Sequence, residues 1–336
     1  MYNCAGAISL KKVVFIGLKG RTCMKSSQPG VGIILLNWNG YQDTYDCLKS
    51  LESLSYPNFK VYVVDNLSSD DSYARLLEDH HNGEFKIPVD LIQSGGNLGF
   101  AGGNNIGIQA AYESGLEYIW LLNNDTVVDP YALTSLVIEM EKDQKIGIIG
   151  SKIYYYNTNL IWFAGGEVNE WFGSVNHPGL REKDEGQFNQ LREVDFITGC
   201  SLLLRKELIE TVGYMREDYF LYYEETDWNV RARQTGWKIV YCPQSIVYHK
   251  VSLSSGGEKN ISPYVDYYDI RNGFHLILNT YGWSRVPTAF SSMIWKSVKK
   301  TLKIILKYNN KGKRIHYLFM GIWDGCRLKR GKHPVL

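Results

Sequence analysis

The sequence lacks paired cysteines and long apolar runs. Its six cysteines are scattered over 336 residues, with neither a Cys-x-x-Cys pair nor the ligand spacing of a structural zinc site. This pattern argues against a disulfide-stapled or zinc-stabilised fold and is typical of individually buried thiols in a reducing compartment. No apolar stretch approaches the ~18 residues that indicate a membrane-spanning helix, so we expect none.

Acidic residues are nearly missing from the C-terminal end of the chain. Of the 37 Lys and Arg residues, 13 lie in residues 285–336, where Asp324 is the single acid. That segment therefore carries a formal charge of +12 and the rest of the chain −10, an asymmetry that the net charge of +2 conceals. Such a division predicts that the C-terminal segment meets an anionic partner.

The composition is otherwise that of an ordinary globular protein, with 44% hydrophobic and 21% charged residues. Residues 1–30 precede the first clear strand. The short apolar segment within them has no cleavage site, so they make a poor signal peptide. We expect them to form a poorly ordered N-terminal extension.

Strands and helices alternate after residue 30. Apolar runs predict strands at Val31–Gly40, Lys60–Asn66, Val89–Ser94, Tyr118–Asn123 and Ile146–Tyr156. Helical spacing and capping residues predict helices at Tyr41–Leu54, at about 68–80, from about Asn104, and from Asp129-Pro130. This alternation predicts an α/β fold with a mostly parallel central sheet and helices on both faces.

Polar residues follow four of these strands at the point where each strand ends. The clusters are Asn37-Trp38-Asn39, Asp65-Asn66, Gly95-Gly96-Asn97 and Asn123-Asn124-Asp125. Ligands bind beyond the carboxyl ends of parallel strands, so we expect these clusters to converge on one crevice. The oxygen-bearing side chains of the last cluster suit a metal ion and phosphates, although Asp125 alone could instead cap a turn.

A glycine-rich segment, Gly95–Gly107, follows the third predicted strand. Its spacing, G-x-x-G-x-x-G-G, and its place after the third rather than the first strand exclude the dinucleotide-binding fingerprint. No G-K-[ST] sequence occurs, which excludes a Walker phosphate loop. The remaining interpretations are a flexible turn into a helix and a loop that a ligand approaches closely.

Six stretches of the chain carry its most specific patterns. They are ILLNWNG, VVDNLSSD, GGNLGFAGGNNIGI, LLNNDTVVDP, the long stretch from DFITG to RQTGW, and IVYHKVSLSSGG. Together they resemble the inverting family-2 glycosyltransferases of GT-A fold, in particular the rhamnosyltransferase-like branch. The resemblance runs from about Val31 to Gly257. It implies a GT-A catalytic region at 31–257, with a nucleotide-binding half at 31–130 and an acceptor and base half at 131–257.

The resemblance assigns the nucleotide-sugar donor to the strand ends. Asp65 would accept the N3–H of a uracil or thymine, which implies a UDP- or dTDP-sugar. The other donor-binding residues that the resemblance implies are Asn37, Trp38, Asn39, Asn97, Gly103, Asn104, Asn123 and Asn124. The first three would line the base and ribose, and the glycine-rich segment would admit close approach to the ribose and sugar.

The resemblance also implies a divalent metal ion, Mg²⁺ or Mn²⁺. Asn123-Asn124-Asp125 stands where the family has an Asp-x-Asp motif, so that Asp125 is the carboxylate left to bind the metal. His249 matches a family histidine that completes the metal site, whereas taken alone a single histidine after an apolar strand is more often structural. Oxygen ligands together with diphosphate oxygens suit either ion.

The stretch Tyr219–Trp237 places three acids after an aromatic run. Acids in a first helical turn and an i,i+4 pair between Asp227 and Arg231 explain part of this pattern. They do not explain two glutamates directly after an apolar run, where desolvation raises a carboxyl pKa. The resemblance makes Glu225 the catalytic base, a glutamate in place of the more usual aspartate.

Three residues are weaker candidates for the acceptor site. Trp171 lies among aromatic residues that could stack on sugars, Asp195 precedes the FITG stretch, and Glu224 precedes the predicted base.

A base and a metal-neutralised leaving group need no second carboxylate nucleophile. A single displacement with inversion is therefore expected.

Residues 258–336 form the predicted C-terminal region, a basic amphipathic helical segment. Its apolar residues recur at helical spacing: Phe290, Ile294, Val298, Leu302 and Ile305. This row could attach the protein to an anionic membrane face, with each nearby cation contributing roughly 1 kcal/mol. Alternatively, it could pack on the catalytic region with the lysines in solvent. No nucleic-acid-binding motif occurs, so we expect no nucleic-acid partner.

The combined prediction is a metal-dependent inverting hexosyltransferase. It would move rhamnose or a similar hexose from a dTDP- or UDP-sugar to a glycan or polyprenyl-linked acceptor during cell-surface polysaccharide synthesis. We expect it in the cytoplasm, peripheral on the inner face of the cytoplasmic membrane. One alternative is a catalytically silent member that binds glycans or scaffolds partners. The other is a nucleotidyltransferase, although NWNGYQ stands where such an enzyme has a basic nucleotide loop.

Overall fold

The computed structural model describes residues 28–251 and 262–334. The predicted N-terminal extension therefore lies outside the described residues, except for its last three. The end of the predicted catalytic region, 252–257, lies outside them too, as do residues 258–261 at the start of the predicted C-terminal region.

Twelve strands and nine α-helices occur in the part of the chain that the structure describes. The strands are β1 (Val31–Asn37), β2 (Phe59–Asp65), β3 (Val89–Gln93), β4 (Tyr118–Asn123), β5 (Thr126–Val128), β6 (Ile146–Tyr155), β7 (Ile161–Phe163), β8 (Glu167–Asn169), β9 (Ser174–Asn176), β10 (Arg192–Glu193), β11 (Ser201–Arg205) and β12 (Lys238–His249). The helices are α1 (Tyr41–Leu51), α2 (Ser72–His81), α3 (Gly99–Glu113), α4 (Ala132–Lys142), α5 (Lys206–Val212), α6 (Glu224–Gln234), α7 (Tyr264–Tyr281), α8 (Val286–Lys307) and α9 (Lys311–Cys326).

The central sheet is mostly parallel, as predicted. Its order is β10-β12-β6-β11-β4-β1-β2-β3, and strands β1 to β4 pair in parallel with their neighbours in that order, as β6 and β12 do. The exceptions in that order are β11, which is antiparallel to both β4 and β6, and the two-residue β10, which is antiparallel to β12. An apolar strand that is buried on both faces, such as β11, has the same sequence pattern in either direction, so the sequence did not predict the reversed direction of β11.

The glycine-rich segment is helical over most of its length, which corrects the predicted start of α3. The helix begins at Gly99 rather than near Asn104. A methyl group on Gly103 would come within 2.3 Å of Leu36, and one on Gly107 within 2.5 Å of Ile34. The glycines therefore let α3 lie close against β1, and this packing overrides their low helix propensity.

Two other helices begin later than predicted. Helix α2 begins at Ser72 rather than near residue 68, because the Ser68 hydroxyl bonds to Asp65 instead of capping a helix. Helix α4 begins at Ala132, two residues after Pro130, in a turn where the Asp129 carboxylate accepts the Tyr131 N–H. In both cases a polar side chain forms a hydrogen bond within a turn that precedes the helix, so the helix begins later.

The three C-terminal helices form a layer with a small core of their own. Apolar residues of all three meet there: Ile270, Phe274, Ile277, Ala289, Met293, Ile304 and Leu318. Helix α7 in turn contacts α6, which carries the predicted base. The C-terminal layer therefore packs against the helix on which the predicted base lies.

The predicted apolar row of α8 is uncovered. Phe290, Ile294, Val298, Leu302 and Ile305 are all exposed. The interpretation in which this row packs on the catalytic region is therefore wrong. The opposite side of α8 is the packed one, and it includes Lys296 and Lys300, which the hydrophobic pattern alone assigns to solvent. No helix in the ranges described has both the length and the apolar character needed to cross a bilayer.

Candidate functional site

Asp65, at the end of β2, is the centre of a hydrogen-bonded cluster at the carboxyl edge of the sheet. Its carboxylate is fully buried and accepts bonds from Asn37 Nδ2 at 2.7 Å and from Gln93 Nε2 at 2.9 Å. The backbone N–H and the hydroxyl of Ser68 occupy its remaining acceptor positions. Asp65 is thus held as an acceptor, with Gln93 as its partner nearest to solvent.

The ends of β1, β2 and β4 are joined by a chain of side-chain hydrogen bonds. Asn124 Nδ2 donates to Thr44 Oγ1 at 2.9 Å, and Thr44 Oγ1 donates to Asn37 Oδ1 at 2.9 Å. Asn37 then donates to Asp65, its neighbour in strand register. The predicted convergence of these strand ends is confirmed. Asn37, however, is fully buried, so that its amide orients Asp65 rather than facing a ligand.

The other residues predicted to meet the base and ribose lie at the rim. Trp38 is exposed, and Asn39 adopts a left-handed backbone conformation with its Oδ1 accepting the Ser69 N–H at 2.7 Å. Asn97 Oδ1 accepts the Gly99 N–H at 3.1 Å, at the start of α3. A residue without a predicted role, the buried Asn66, donates to Gly99 O at 3.1 Å and holds this loop against β2.

Gly103 and Asn104, which were predicted to contact the donor, both have packing roles in the structure. Both are buried within α3. Asn104 Nδ2 donates to the Phe100 carbonyl one turn earlier, at 2.9 Å, and Gly103 lies against Leu36. Packing of the helix on the sheet therefore accounts for both residues.

Asp125 and His249 lie side by side although 124 positions separate them in the sequence. His249 Nε2 is 3.1 Å from Asp125 Oδ1, and both residues are buried. They meet because β5 pairs antiparallel with β12, which aligns His249 with Thr126 and brings the Lys250 N–H to the Asp125 carbonyl at 2.9 Å. The predicted proximity of the two metal-ligand candidates is confirmed.

The carboxylate beside His249 favours the protonated, charged form of this histidine. Burial disfavours an imidazolium, but the adjacent Asp125 carboxylate raises the pKa of His249 well above 6.5. Burial raises the pKa of the Cys200 thiol, which stays protonated at neutral pH. Among the residues that the structure describes, no third His, Cys, Asp or Glu completes a metal-binding group. A cation here would therefore need further oxygen ligands from a bound substrate.

Glu224 and Glu225 begin α6, and their surroundings differ. Glu224 is 2% exposed and its Oε2 has no hydrogen-bond partner among the described residues, whereas Glu225 is only half-buried. Burial raises the pKa of both carboxyls, and the Glu225 charge raises that of Glu224 further. Of the two, Glu225 is the one that a substrate can reach.

Two neighbours fix the position of Glu225. Asn229 Nδ2 donates to the carbonyls of Glu225 at 2.7 Å and Ile197 at 3.0 Å, and its Oδ1 accepts the Ile197 N–H at 3.0 Å. A methyl group on Gly199 would lie 3.8 Å from Glu225 Cβ. The next residue, Cys200, adjoins His249. The short segment 197–200 thus connects the predicted base with the predicted metal pair.

The predicted acceptor-site residues differ in availability. Asp195 is engaged within the fold, because it binds Arg233 at 3.0 Å and accepts the Val168 N–H at 2.9 Å. Trp171, in the turn between β8 and β9, is 57% exposed, and the Arg285 guanidinium lies 3.5 Å from its ring centre. Trp171 is therefore the candidate with a free surface for a sugar.

The chain is similar to curated glycosyltransferases over most of its length. Residues 32–213 match the family described as Glycosyl transferase family 2. The chain is 28% identical over 245 residues to the low-salt glycan biosynthesis hexosyltransferase Agl10 of Haloferax volcanii, covering 73% of this chain and 74% of the relative. It is 26% identical over 297 residues to the dTDP-rhamnosyl transferase RfbF of Shigella flexneri, covering 82% and 89%.

Solved structures share the fold at lower sequence identity. The mannosyltransferase PcManGT from Pyrobaculum calidifontis, in complex with GDP-Man and Mn²⁺, has a TM-score of 0.53 and 13% identity, covering 90% of this chain and 89% of that one. TarS 1–349 of S. aureus, in complex with UDP-GlcNAc, has a TM-score of 0.56 and 16% identity, covering 88% and 81%. These likenesses support the GT-A architecture. The family match spans more than half of the chain, which therefore belongs to glycosyl transferase family 2 and is a glycosyltransferase.

Proposed function

We propose that this protein is a metal-dependent inverting hexosyltransferase that uses a dTDP- or UDP-sugar and glycosylates a hydroxyl of a glycan or polyprenyl-linked acceptor. The observation that carries the proposal is the placement of Asp125 and His249 at 3.1 Å, with Glu225 joined to them through segment 197–200. A buried ion-binding pair and a reachable carboxylate of raised pKa are the two parts that the reaction needs. The relative that is named a dTDP-rhamnosyl transferase supports this donor class.

Asp65 is the proposed partner of the donor base. Its acceptor positions are all in use, and Gln93 is its exposed amide partner. The N3–H of a uracil or thymine can replace that amide donor without leaving the carboxylate short of a hydrogen bond. Cytosine has no N3–H, so the same exchange would place two acceptors together.

Substitution of Asp65 by alanine is expected to weaken binding of UDP or dTDP by about 10–100-fold. A hydrogen bond to a charged group is worth about 1.5–3 kcal/mol, and 1.4 kcal/mol corresponds to a factor of ten. Calorimetric titration with UDP, dTDP and CDP measures the effect, and the preference over CDP should shrink as well. Asp90→Ala removes an exposed carboxylate from β3 and is the matched control. Unchanged UDP affinity in a folded Asp65→Ala protein would move the base pocket elsewhere.

The Asp125–His249 pair fits a divalent cation. A carboxylate and an imidazole within 3.1 Å of each other in a buried site provide oxygen and nitrogen ligands. Asn123, two residues before Asp125 in the sequence, would add a neutral amide oxygen. A solved neighbour that holds a nucleotide-sugar and Mn²⁺ supports the choice of Mg²⁺ or Mn²⁺. When bound, such an ion would neutralise charge on the departing diphosphate.

Glu225 is the proposed general base. Its carboxylate would take the proton from an acceptor hydroxyl as that oxygen bonds to the anomeric carbon of the donor. The bond from that carbon to the diphosphate oxygen breaks, and the nucleoside diphosphate leaves with the electron pair. One displacement inverts the anomeric configuration, and no covalent sugar-enzyme intermediate forms.

The exposed row of α8 is proposed to lie on an anionic membrane face. Leu306 is 77% exposed and Leu302 57%, and Trp295 stands beside them with Lys299 Nζ 4.7 Å from its ring centre. Uncovered apolar side chains, an interfacial tryptophan and the +12 charge of residues 285–336 suit a negatively charged lipid surface. Such attachment on the cytoplasmic face would bring a polyprenyl-linked acceptor to the site.

Membrane attachment predicts that the double variant Leu302→Glu/Leu306→Glu binds anionic vesicles at least about tenfold more weakly, since each leucine contributes about 1.5–3 kcal/mol on burial. Co-sedimentation with phosphatidylglycerol vesicles, in low and high salt, measures the change. The control is Ile138→Glu, an exposed apolar residue on α4. Equal binding by the wild-type protein and the double variant, or no binding by either, would contradict attachment through α8.

A further inference from the structure

The segment directly before Glu224 has an unfavourable backbone. Phe220, Tyr222 and Tyr223 have φ angles of 65°, 67° and 75°, in the left-handed region that bulky residues rarely adopt. Tyr223 is the residue immediately before α6, so its conformation sets the direction in which that helix starts. Such a segment persists only where surrounding contacts hold it.

Asn272 on α7 supplies the main contacts. Its side chain is fully buried, and its Nδ2 donates to the carbonyls of Tyr219 at 2.9 Å, Leu221 at 2.7 Å and Tyr222 at 3.0 Å. Arg271 Nε donates to Asn272 Oδ1 at 2.9 Å, which turns the amide nitrogen toward the segment. The two N–H bonds of one amide are thus shared among three carbonyls in and just before the left-handed segment.

A second set of contacts holds Tyr223 itself. Its hydroxyl donates to Asp269 Oδ1 at 2.8 Å and accepts from Lys296 Nζ at 3.2 Å, so it joins α7 to α8. Lys296 also donates to the Gly173 carbonyl at 3.1 Å, in the turn that carries Trp171. Lys300 binds Asp269 at 2.8 Å and keeps that carboxylate charged.

The glycine at position 273 makes room for this cluster. A methyl group there would lie 3.0 Å from Lys296 Nζ and 3.3 Å from the Tyr223 hydroxyl oxygen. Helix α7 can lie this close to the contact between Tyr223 and Lys296 because the residue at position 273 has no side chain. Helices α7 and α8 therefore both contact the segment that precedes the predicted base.

We propose that Asn272 and Lys296 are positioning residues, which hold the Phe220–Tyr223 segment in its left-handed conformation and thereby direct Glu225 toward the acceptor hydroxyl. The inference rests on the proposed role of Glu225. It makes the C-terminal helices part of the catalytic arrangement. Through Gly173, Lys296 also sets the turn of Trp171 relative to the base.

Asn272→Ala and Lys296→Met are each expected to lower kcat by about tenfold or more, because misplacement of a catalytic group by 1 Å can cost about 10²-fold. Donor affinity, measured by calorimetry, should stay unchanged, since Asp65 and Asp125 lie at the strand ends. Lys142→Met, an exposed lysine on α4 whose side chain binds Glu139, is the matched control. Thermal melting checks that each variant is folded.

The decisive measurement is the double variant Glu225→Gln/Asn272→Ala. If Asn272 acts through the base, the double variant should be no slower than Glu225→Gln alone. The proposal would be overturned if the losses of the two single variants multiply in the double variant. It would also be overturned if Asn272→Ala is folded and has normal kcat while Glu225→Gln is slow. Near-normal turnover of Glu225→Gln would instead remove the proposed base. Should Asn272→Ala not fold, Tyr223→Phe, which deletes only the hydroxyl, takes its place in both comparisons with the same outcomes.

Discussion

Glu225→Gln is expected to lower the rate of sugar transfer by about 10²–10⁴-fold, the usual contribution of a positioned acid or base. Glutamine keeps the shape of the side chain but cannot take the proton of the acceptor hydroxyl. Binding of the donor and of the metal should survive, because Asp65 and Asp125 lie at the strand ends and not on α6. Turnover at saturating donor and acceptor, with binding measured separately, tests both parts.

The pH dependence of transfer offers an independent test of Glu225. Burial raises its pKa above the ordinary value of 4.5, and transfer needs the ionised form. The rate should therefore decline, as the pH is lowered, earlier than it would with an ordinary glutamate. This acidic limb should be absent from the residual activity of Glu225→Gln.

Glu224→Gln is the control for charge in the same helical turn. Glu224 is almost fully buried, and burial together with the Glu225 charge raises its pKa, so glutamine resembles its protonated form. The Glu224→Gln substitution should therefore have a small effect on kcat. A greater loss at Glu224 than at Glu225 would show that the base is the earlier residue. Asp227 is a poorer control, because it forms the predicted pair with Arg231, at 2.6 Å, and is fully buried.

Removal of divalent metal is the second change with a large expected effect. Excess EDTA should abolish transfer, with restoration by Mn²⁺ or Mg²⁺. Asp125→Ala should lose about 10²-fold or more at ordinary metal concentrations, since a metal ion supplies several kcal/mol of charge stabilisation. His249→Ala should raise the metal concentration needed for half-maximal activity and leave the protein folded.

The matched control for Asp125→Ala is Asp129→Ala. Asp129 lies four residues later, and its carboxylate accepts the Tyr131 N–H in the turn before α4. Full activity in excess chelator would contradict the metal proposal, and the close contact between His249 and Asp125 would then be an internal ion pair. Mn²⁺ binding in the presence of UDP, followed by magnetic resonance of the ion, separates these cases without relying on turnover.

The sequence by itself determined the parallel half of the sheet and the polar strand ends. Unbroken apolar runs such as that of β4 need burial on both faces, and short polar turns between strands and helices allow only a parallel crossover. Once the strands are parallel, their carboxyl ends share an edge, so the residues there must be neighbours. This is why Asp65 and Asn124 could be predicted to belong to one crevice.

The resemblance added what periodicity could not. Nothing local in the sequence relates Asp125 to His249, and the antiparallel pairing of β5 with β12 that joins them involves a strand of only three residues. The motif match therefore identified both residues, and the fold showed how they meet. The family match confirms the class of enzyme, while the roles of single residues stay predictions.

Only the tertiary structure decided which face of a helix is covered and which polar groups hold the base. The apolar row of α8 allowed either a membrane-facing or a packed interpretation, and the structure leaves it exposed. The packed face carries Lys296, which bonds to the Tyr223 hydroxyl, and Lys300, which pairs with two acids of α7. Asn272 carries no signal in the sequence because its three acceptors are backbone carbonyls about 50 residues earlier. Hydrophobic periodicity reports how much apolar surface a helix has. Whether a partner covers that surface, or charges are neutralised beneath it, depends on long-range contacts that the pattern does not contain.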